Sequence, residues 1–236
     1  TLMILEEFIN QILLEKLRSK TFRMNEFIKL NSREEVLVYA LENLQEIGSG
    51  SSRDVFILSS GKVLKAAKSE AGIEQNKLEV SVSNNSKTSS VLAHVLSSNP
   101  EGWWLVSELV KPFLYFDEGQ KKLLIFLGLS DDFNLQDSLD TIFRAGIEHF
   151  EKFNKVNISL DGKLFLKSVL SVIQKTGLSI GDVTKISSYG TAPDGRICLL
   201  DYGLNSEIYH KHYGVGWWFY FSNLFVAEPM KFSGWL

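Results

Sequence analysis

A run of small residues near the middle of the first half of the chain is suited to binding an anion. The run reads Gly48-Ser49-Gly50-Ser51-Ser52. Because glycine has no side chain, the backbone N–H groups at Gly48 and Gly50 can approach a phosphate, and the hydroxyls of Ser51 and Ser52 can add donors. The run therefore predicts a phosphate-binding turn, and a plain hairpin turn is the alternative.

A lysine in the strand that follows is the second candidate. Side chains alternate across a strand, so Lys65 shares one face with Val63 and Ala67. A lysine among apolar groups is costly to bury unless a carboxylate or a phosphate meets it. Glu79, or else Glu74, lies on the next predicted helix and can pair with Lys65. The alternative is that Lys65 is a solvated surface charge.

The third candidate is an acidic residue near the end of the chain. Asp201 follows an apolar strand predicted over residues 197–200 and precedes Tyr202 and Gly203. A carboxylate at the end of a buried strand, with a glycine that lets the backbone turn away, is suited to hold Mg²⁺ on phosphates. An ordinary Asp-x-Gly turn is the alternative.

The elements that must position these residues follow from the pattern of apolar residues. Helices are predicted at residues 2–17, 32–41, 73–80, 135–153 and 164–176, and strands at 55–58, 62–66, 91–96 and 103–110, with a late hairpin over 188–200. Helices, then a small antiparallel sheet with one helix, then helices again indicate an α+β fold of two lobes. We expect a helical annex over residues 1–44, a sheet lobe over 45–110 and a mainly helical lobe over 111–236.

Composition excludes several classes of protein. With 25 lysine and arginine residues against 28 aspartate and glutamate residues, the formal net charge is −3, so nucleic-acid binding is not expected. One cysteine excludes an internal disulfide and fits a reducing compartment. The longest apolar run, residues 215–227, is too short to span a membrane. We therefore expect a cytoplasmic protein, and the amphipathic helix over residues 2–17 is either core or a docking helix for a protein partner.

Taken in order, these motifs resemble the protein-kinase fold. The strings GSGSSRDVF, GKVLKAA, GIEQNKLEV, WWLVSELVKP and GRICLLDYGL look more narrowly like small kinase-like proteins encoded by large tailed bacteriophages. The resemblance covers about residues 30–215, and its strength lies in the order of the motifs. It implies a two-lobed kinase-like fold with a reduced helical lobe and an N-terminal helical extension.

The resemblance also implies roles for single residues. Gly48 and Gly50 correspond to the loop that covers the phosphates of ATP, and Lys65 would hold those phosphates while Glu79 orients it. The backbone of residues 107–110, at Glu108 and Val110, would read the adenine ring, and Asp201 would bind Mg²⁺. Asp182 would be the base that accepts the hydroxyl proton of the acceptor.

The chain departs from the kinase pattern at three places. Arg53 replaces the third glycine of the loop. Ser187 or Ser188 stands where an asparagine that binds a second Mg²⁺ is expected, and we assign Ser188 as this metal ligand. Only 236 − 203 = 33 residues follow Gly203, too few for the platform that docks a peptide. The expected function is an ATP- and Mg²⁺-dependent phosphotransferase of unknown acceptor, and the alternative is a pseudokinase that senses nucleotide or serves as a structural or interaction protein.

Overall fold

The computed structural model describes residues 22–58, 61–84, 89–113 and 118–214. The predicted helix over residues 2–17 and the apolar run over 215–227 lie outside these residues. The helices are α1 (Met24–Phe27), α2 (Arg33–Asn43), α3 (Glu70–Ser83), α4 (Glu118–Leu127), α5 (Leu135–Ala145), α6 (Ile147–Asn154), α7 (Leu160–Thr176), α8 (Ile180–Val183) and α9 (Ser206–Tyr213). The strands are β1 (Gln45–Ser49), β2 (Arg53–Leu58), β3 (Lys62–Ala67), β4 (Val95–Ser98), β5 (Trp104–Glu108), β6 (Lys111–Pro112), β7 (Tyr189–Thr191) and β8 (Ile197–Leu199).

The strands form two antiparallel sheets. The larger sheet has the order β1-β2-β3-β5-β4, and the smaller one has the order β6-β7-β8. Helix α3 is inserted between β3 and β4, and helices α4 to α8 lie between the two strands β6 and β7 in the chain. This arrangement confirms the predicted α+β fold class. The domain boundaries stay a prediction.

Alternation along β3 decides which side chains enter the core of the larger sheet. Leu64 and Ala66 are fully buried in one cluster with Phe27 of α1 and Val36 of α2. Lys65, whose register partners are Val55 and Leu105, therefore faces away from these helices. The ammonium of Lys65 lies on the opposite face of the sheet because side chains alternate along the strand.

The helical region is built on a second apolar core, and here two predicted boundaries were wrong. The helix predicted over residues 135–153 is two helices, because Gly146 has a φ of 99° and interrupts the α-helical hydrogen bonding. Helix α7 begins at Leu160 rather than Leu164, since the Ser159 hydroxyl accepts the N–H of Gly162 at 3.0 Å and caps the first turn.

The strand predicted over residues 91–96 also differs. A short 3₁₀ turn, Ser89–Val91, ends at the first residue of this range, and the strand itself begins at Val95. Among the described residues, the helices are too short or too polar to cross a membrane.

Candidate functional site

Lys65 and Glu79 form a buried ion pair. The Nζ atom of Lys65 donates to Oε2 of Glu79 at 2.7 Å, and the exposed fractions of the two side chains are 9% and 1%. The same ammonium donates to the carbonyl oxygen of Leu200 at 3.0 Å. The ammonium of Lys65 thus lies between helix α3 and the residue that precedes Asp201. Glu74 is not its partner, because the Glu74 carboxylate pairs with Lys211 and His212 of α9.

Arg53, the first residue of β2, lies next to this pair. Its Nη1 donates to Oε1 of Glu79 at 2.6 Å and to Oδ1 of Asn76 at 3.3 Å. Its Nη2 donates to Oδ1 of Asp201 at 3.0 Å. Glu79 therefore accepts from both cations, Lys65 on one oxygen and Arg53 on the other. Two cations and two carboxylates form one connected cluster, which we call the charge cluster: Arg53, Lys65, Glu79 and Asp201.

The charge cluster shifts the pKa values of two of its members. Burial acts to lower the pKa of Arg53, but the charges and hydrogen bonds of Glu79 and Asp201 outweigh it, so the Arg53 pKa is raised. The protein around Asp201 acts to raise the pKa of its carboxyl by desolvation, but Arg53 and then Lys65 hold that pKa below its usual value. The Asp201 side chain is 58% exposed, so its free face is open to a ligand in solvent.

Close packing fixes the segment that carries Asp201. Tyr202 is buried, and its hydroxyl donates to the carbonyl oxygen of Ala93 at 2.5 Å. A Cβ added at Gly203 would lie 2.9 Å from Oε1 of Glu79 and 3.0 Å from the carbonyl oxygen of Gln75. The glycine after Tyr202 is therefore needed so that this segment can approach helix α3, and the close approach brings Asp201 to Arg53.

Asp182 lies in the short helix α8. Its carboxylate pairs with the ammonium of Lys185, one turn later. The hydroxyl of Ser188 donates to the backbone carbonyl of Asp182 at 2.8 Å, and Ser188 is buried. Asp182 is thus held by its own local segment, with its side chain 29% exposed.

The hydroxyls of the Gly-Ser run are engaged within the protein. Ser52 is buried and donates to Oε1 of Gln75 at 2.8 Å, while Ser51 lies 3.5 Å from the hydroxyl of Tyr213. The N–H of Gly50 donates to the carbonyl oxygen of Arg53 at 2.8 Å, which closes the turn between β1 and β2. The run therefore forms the predicted turn, and the hydroxyls of Ser51 and Ser52 have partners within the protein.

Lys68 and Gly72 hold this turn from the other side. The ammonium of Lys68 lies 3.0 Å from Oδ1 of Asp54 and donates to the carbonyl oxygen of Gly50 at 3.1 Å. A Cβ added at Gly72 of helix α3 would lie only 2.1 Å from the carbonyl oxygen of Ser52. Helix α3 and the turn are therefore packed together without space between them.

The segment predicted to read adenine runs from β5 to β6. The N–H of Glu108 donates to the carbonyl oxygen of His94 at 3.0 Å, and the Glu108 side chain accepts from Arg196 at 2.8 Å. The N–H of Leu109 donates to the carbonyl oxygen of Gly61 at 2.8 Å. The N–H of Val110 makes no backbone hydrogen bond within the described part of the chain. Val110 lines a cavity in this part of the protein.

Two adjoining cavities bring these residues to one cleft. The inner cavity, about 240 Å³, lies between the segment at Glu108 to Val110 and the ammonium of Lys65. The outer cavity, about 750 Å³, lies between the Gly-Ser run and the side chains of Asp182 and Lys185. Gly48, Arg53, Val55 and Asp201 line both cavities. The two cavities therefore meet at the charge cluster, and together we call them the cleft.

Helix α9 forms one wall of the outer cavity. Tyr209 and Tyr213 stack on one another with ring centroids 5.8 Å apart, and both line this cavity. The Tyr213 hydroxyl also accepts from Nε2 of Gln75 at 3.2 Å. The helix that follows Asp201 and Gly203 in the chain is thus joined to helix α3 and to the turn at Ser51.

The residues predicted to hold Mg²⁺ do not form a metal site together in this arrangement. One oxygen of Asp201 accepts from Arg53, and the hydroxyl of Ser188 is turned toward the Asp182 carbonyl and lines neither cavity. Ser187, the other serine considered at this position, lines the outer cavity. Across residues 22–58, 61–84, 89–113 and 118–214, no three His, Cys, Asp or Glu side chains are grouped as metal ligands.

Two charged residues of the cleft have roles that the sequence patterns do not predict. Arg53 stands where the resemblance implies a glycine, and its burial, which only the structure shows, requires a carboxylate nearby. Lys185 lies three residues after Asp182, and this spacing in a helical turn is the signal in the sequence that the two side chains can pair.

Comparisons with known proteins leave the family open. No protein-family model matches the chain, and no curated protein matches it by sequence. Among solved structures, SAICAR synthase from Saccharomyces cerevisiae in complex with SAICAR is similar over 67% of this chain and 73% of its own, with 13% identity and a TM-score of 0.33. A likeness at that TM-score carries no argument about function. The resemblance to small phage kinase-like proteins stays a prediction.

Proposed function

We propose that this protein binds ATP in the cleft and is a kinase-like phosphotransferase whose acceptor is unknown. The observation that carries the proposal is the ion pair of Lys65 with Glu79, which opens onto the same cleft as Asp182 and Asp201. The cleft thus holds an anchored ammonium, a carboxylate base and a Gly-Ser turn. These groups can together position a nucleoside triphosphate.

The inner cavity is suited to the adenine ring. Val55 and Val63 of the larger sheet supply apolar surface to it, together with Ala93. Val110 lines this cavity, and in the proposed complex its N–H donates to a ring nitrogen of adenine. A nucleotide bound in this way directs its phosphates toward the charge cluster, where Lys65 is the proposed phosphate ligand.

The outer cavity is suited to the acceptor. In the proposed reaction the carboxylate of Asp182 accepts the proton of an acceptor hydroxyl, and the acceptor oxygen attacks the γ-phosphorus of ATP. The bond from the γ-phosphorus to the bridging oxygen breaks, and ADP leaves with that oxygen. Lys185 remains beside Asp182 to balance charge on the transferred group. A cavity of about 750 Å³ fits a small-molecule acceptor.

A second function is favoured by one observation. Arg53 pairs with Asp201, which engages the carboxylate that an active kinase would use for metal binding. A protein that keeps the nucleotide site without transfer would serve as a nucleotide sensor or as an interaction protein. Binding of a protein partner by the helix predicted over residues 2–17 belongs to this second function and stays a prediction.

ATP binding is tested by thermal unfolding of the purified protein with and without ATP. A ligand at one hundred times its dissociation constant stabilises the folded state by about 2.7 kcal/mol, which raises the melting temperature. We expect this rise in the wild type, its loss in Lys65→Ala, and its retention in Lys62→Ala, an exposed lysine of the same strand. The absence of any ATP-dependent rise in the wild type would contradict the proposal.

Transfer is tested separately from binding. Radiolabelled γ-phosphate is followed into inorganic phosphate, into the protein itself and into a panel of small hydroxyl compounds. A transferase loses all label transfer in Asp182→Ala but keeps it in Asp131→Ala, an exposed aspartate outside the cleft. ATP binding without label transfer in the wild type identifies the second function.

A further inference from the structure

Arg53 is fixed at the centre of the cleft by acceptors from two directions. Glu79 and Asn76 of helix α3 accept from Nη1, at 2.6 and 3.3 Å, and Asp201 accepts from Nη2 at 3.0 Å. The Arg53 side chain is only 10% exposed. A buried charge is stable only where its partners compensate its desolvation. These acceptors therefore fix the position of the guanidinium within the site.

The position of Arg53 is where the phosphates of a bound nucleotide would lie. Arg53 lines both the inner cavity, which is suited to adenine, and the outer cavity, which holds Asp182. The planar guanidinium has five N–H donors and matches the oxygens of a phosphate in pairs. Its contacts to Glu79 and Asp201 use only part of this capacity.

A divalent cation on Asp201 conflicts with this arrangement. Mg²⁺ requires near-octahedral oxygen ligands at short distance, usually one or two carboxylates together with phosphate oxygens. Oδ1 of Asp201 already accepts from Arg53, and the hydroxyl of Ser188 is engaged with the Asp182 carbonyl. A metal at Asp201 would also be placed beside a guanidinium of the same sign of charge.

We propose that Arg53 takes the place of the divalent cation, so that ATP binds in the cleft without Mg²⁺. This proposal rests on the proposed ATP binding, and it specifies that the binding requires no divalent cation. Arg53 neutralises Asp201, and Arg53 together with Lys65 contacts the phosphate oxygens. Asp201 is then a counter-ion that competes with phosphate for the guanidinium, rather than a metal ligand.

The test is titration calorimetry of the purified full chain with ATP, once in EDTA and once in excess Mg²⁺. We expect dissociation constants that agree within about threefold in the two buffers. Arg53→Gln should weaken binding in EDTA by at least about tenfold, while Arg144→Gln, an exposed arginine outside the cleft, should leave it unchanged. ATP binding by the wild type only when Mg²⁺ is present would overturn this inference and leave the proposed function standing.

Asp201→Asn gives a second test that does not depend on the folding of an Arg53 variant. Where Arg53 is the cation, removing the Asp201 charge frees the guanidinium, so ATP binding in EDTA stays equal or becomes tighter. Where Asp201 is a metal ligand, Asp201→Asn loses the ATP binding that the wild type shows in excess Mg²⁺, and that result would overturn the inference. No binding by the wild type in either buffer contradicts the proposed function itself.

Discussion

The guanidinium of Arg53 donates to the carboxylate of Asp201 at 3.0 Å, across 148 positions of the chain. This contact joins the start of β2 to the segment after β8, and it completes the charge cluster in which Glu79 is shared by two cations. Two positive and two negative groups leave the cluster with no net charge. Each member therefore stabilises the others, and the loss of one leaves an uncompensated charge in a partly dry site.

Glu79→Gln is expected to destabilise the protein strongly. The substitution keeps the size of the side chain but leaves Lys65 and Arg53 without the carboxylate that both contact. Removal of one partner from a buried ion pair costs about 3–5 kcal/mol of unfolding free energy. Urea unfolding followed by circular dichroism measures this loss. Glu42→Gln, on an exposed part of helix α2, should change the unfolding free energy by no more than about 0.5 kcal/mol, and equal effects of the two variants would refute the prediction.

Gly203→Ala should disturb the site through packing alone. The new methyl group would lie 2.9 Å from Oε1 of Glu79 and 3.0 Å from a backbone carbonyl of helix α3. Such overpacking costs typically about 1–3 kcal/mol, so a lower urea midpoint is expected. Gly181→Ala is the matched control, since the nearest atom to its added Cβ is 3.7 Å away. A wild-type midpoint for Gly203→Ala would show that the segment at Tyr202 is not held against α3 as described.

Low pH should destabilise the folded protein partly through protonation of Asp201. Arg53 and Lys65 hold the pKa of this carboxyl below its usual value, so Asp201 binds a proton more readily in the unfolded chain. Its contribution is therefore complete above the ordinary aspartate pKa of about 4 and is lost as pH falls through the lower folded value. Urea midpoints measured between about pH 5.5 and 3 should fall less steeply for Asp201→Asn than for wild type. Asp131→Asn should keep the wild-type slope, and identical slopes for all three proteins would contradict the assignment.

Cys198 should be unreactive until the protein unfolds. It is the one cysteine of the chain, it is fully buried in β8, and burial raises the pKa of its thiol to about 12. Because the thiolate is the reactive form, a disulfide reagent at about pH 8 should release no chromophore from the native protein. One equivalent should be released after denaturation in guanidinium chloride. Rapid labelling of the native protein would mean that β8 opens readily.

The sequence predicted those features of the site that depend on local order. Alternation along the strand predicted that Lys65 lies on the face away from Leu64. The apolar residues before Asp201 predicted that this carboxylate lies just after the end of a strand. The role of Arg53 was not predictable in this way, because its partners come from a helix and from a segment far along the chain. Local pattern also missed the break at Gly146, where apolar spacing continues through a residue with positive φ.

The contacts of Tyr213 fix how the turn and helix α9 lie relative to one another. Because the side chain at the end of helix α9 contacts both Ser51 of the turn and Gln75 of helix α3, it links separate parts of the lining of the outer cavity. A ligand that widens the cavity between the turn and α9 must break the contact of Tyr213 with Ser51. Spin labels placed on the turn and on α9 should therefore move apart when such a ligand binds, and an unchanged distance would show that the cavity admits the ligand without this separation.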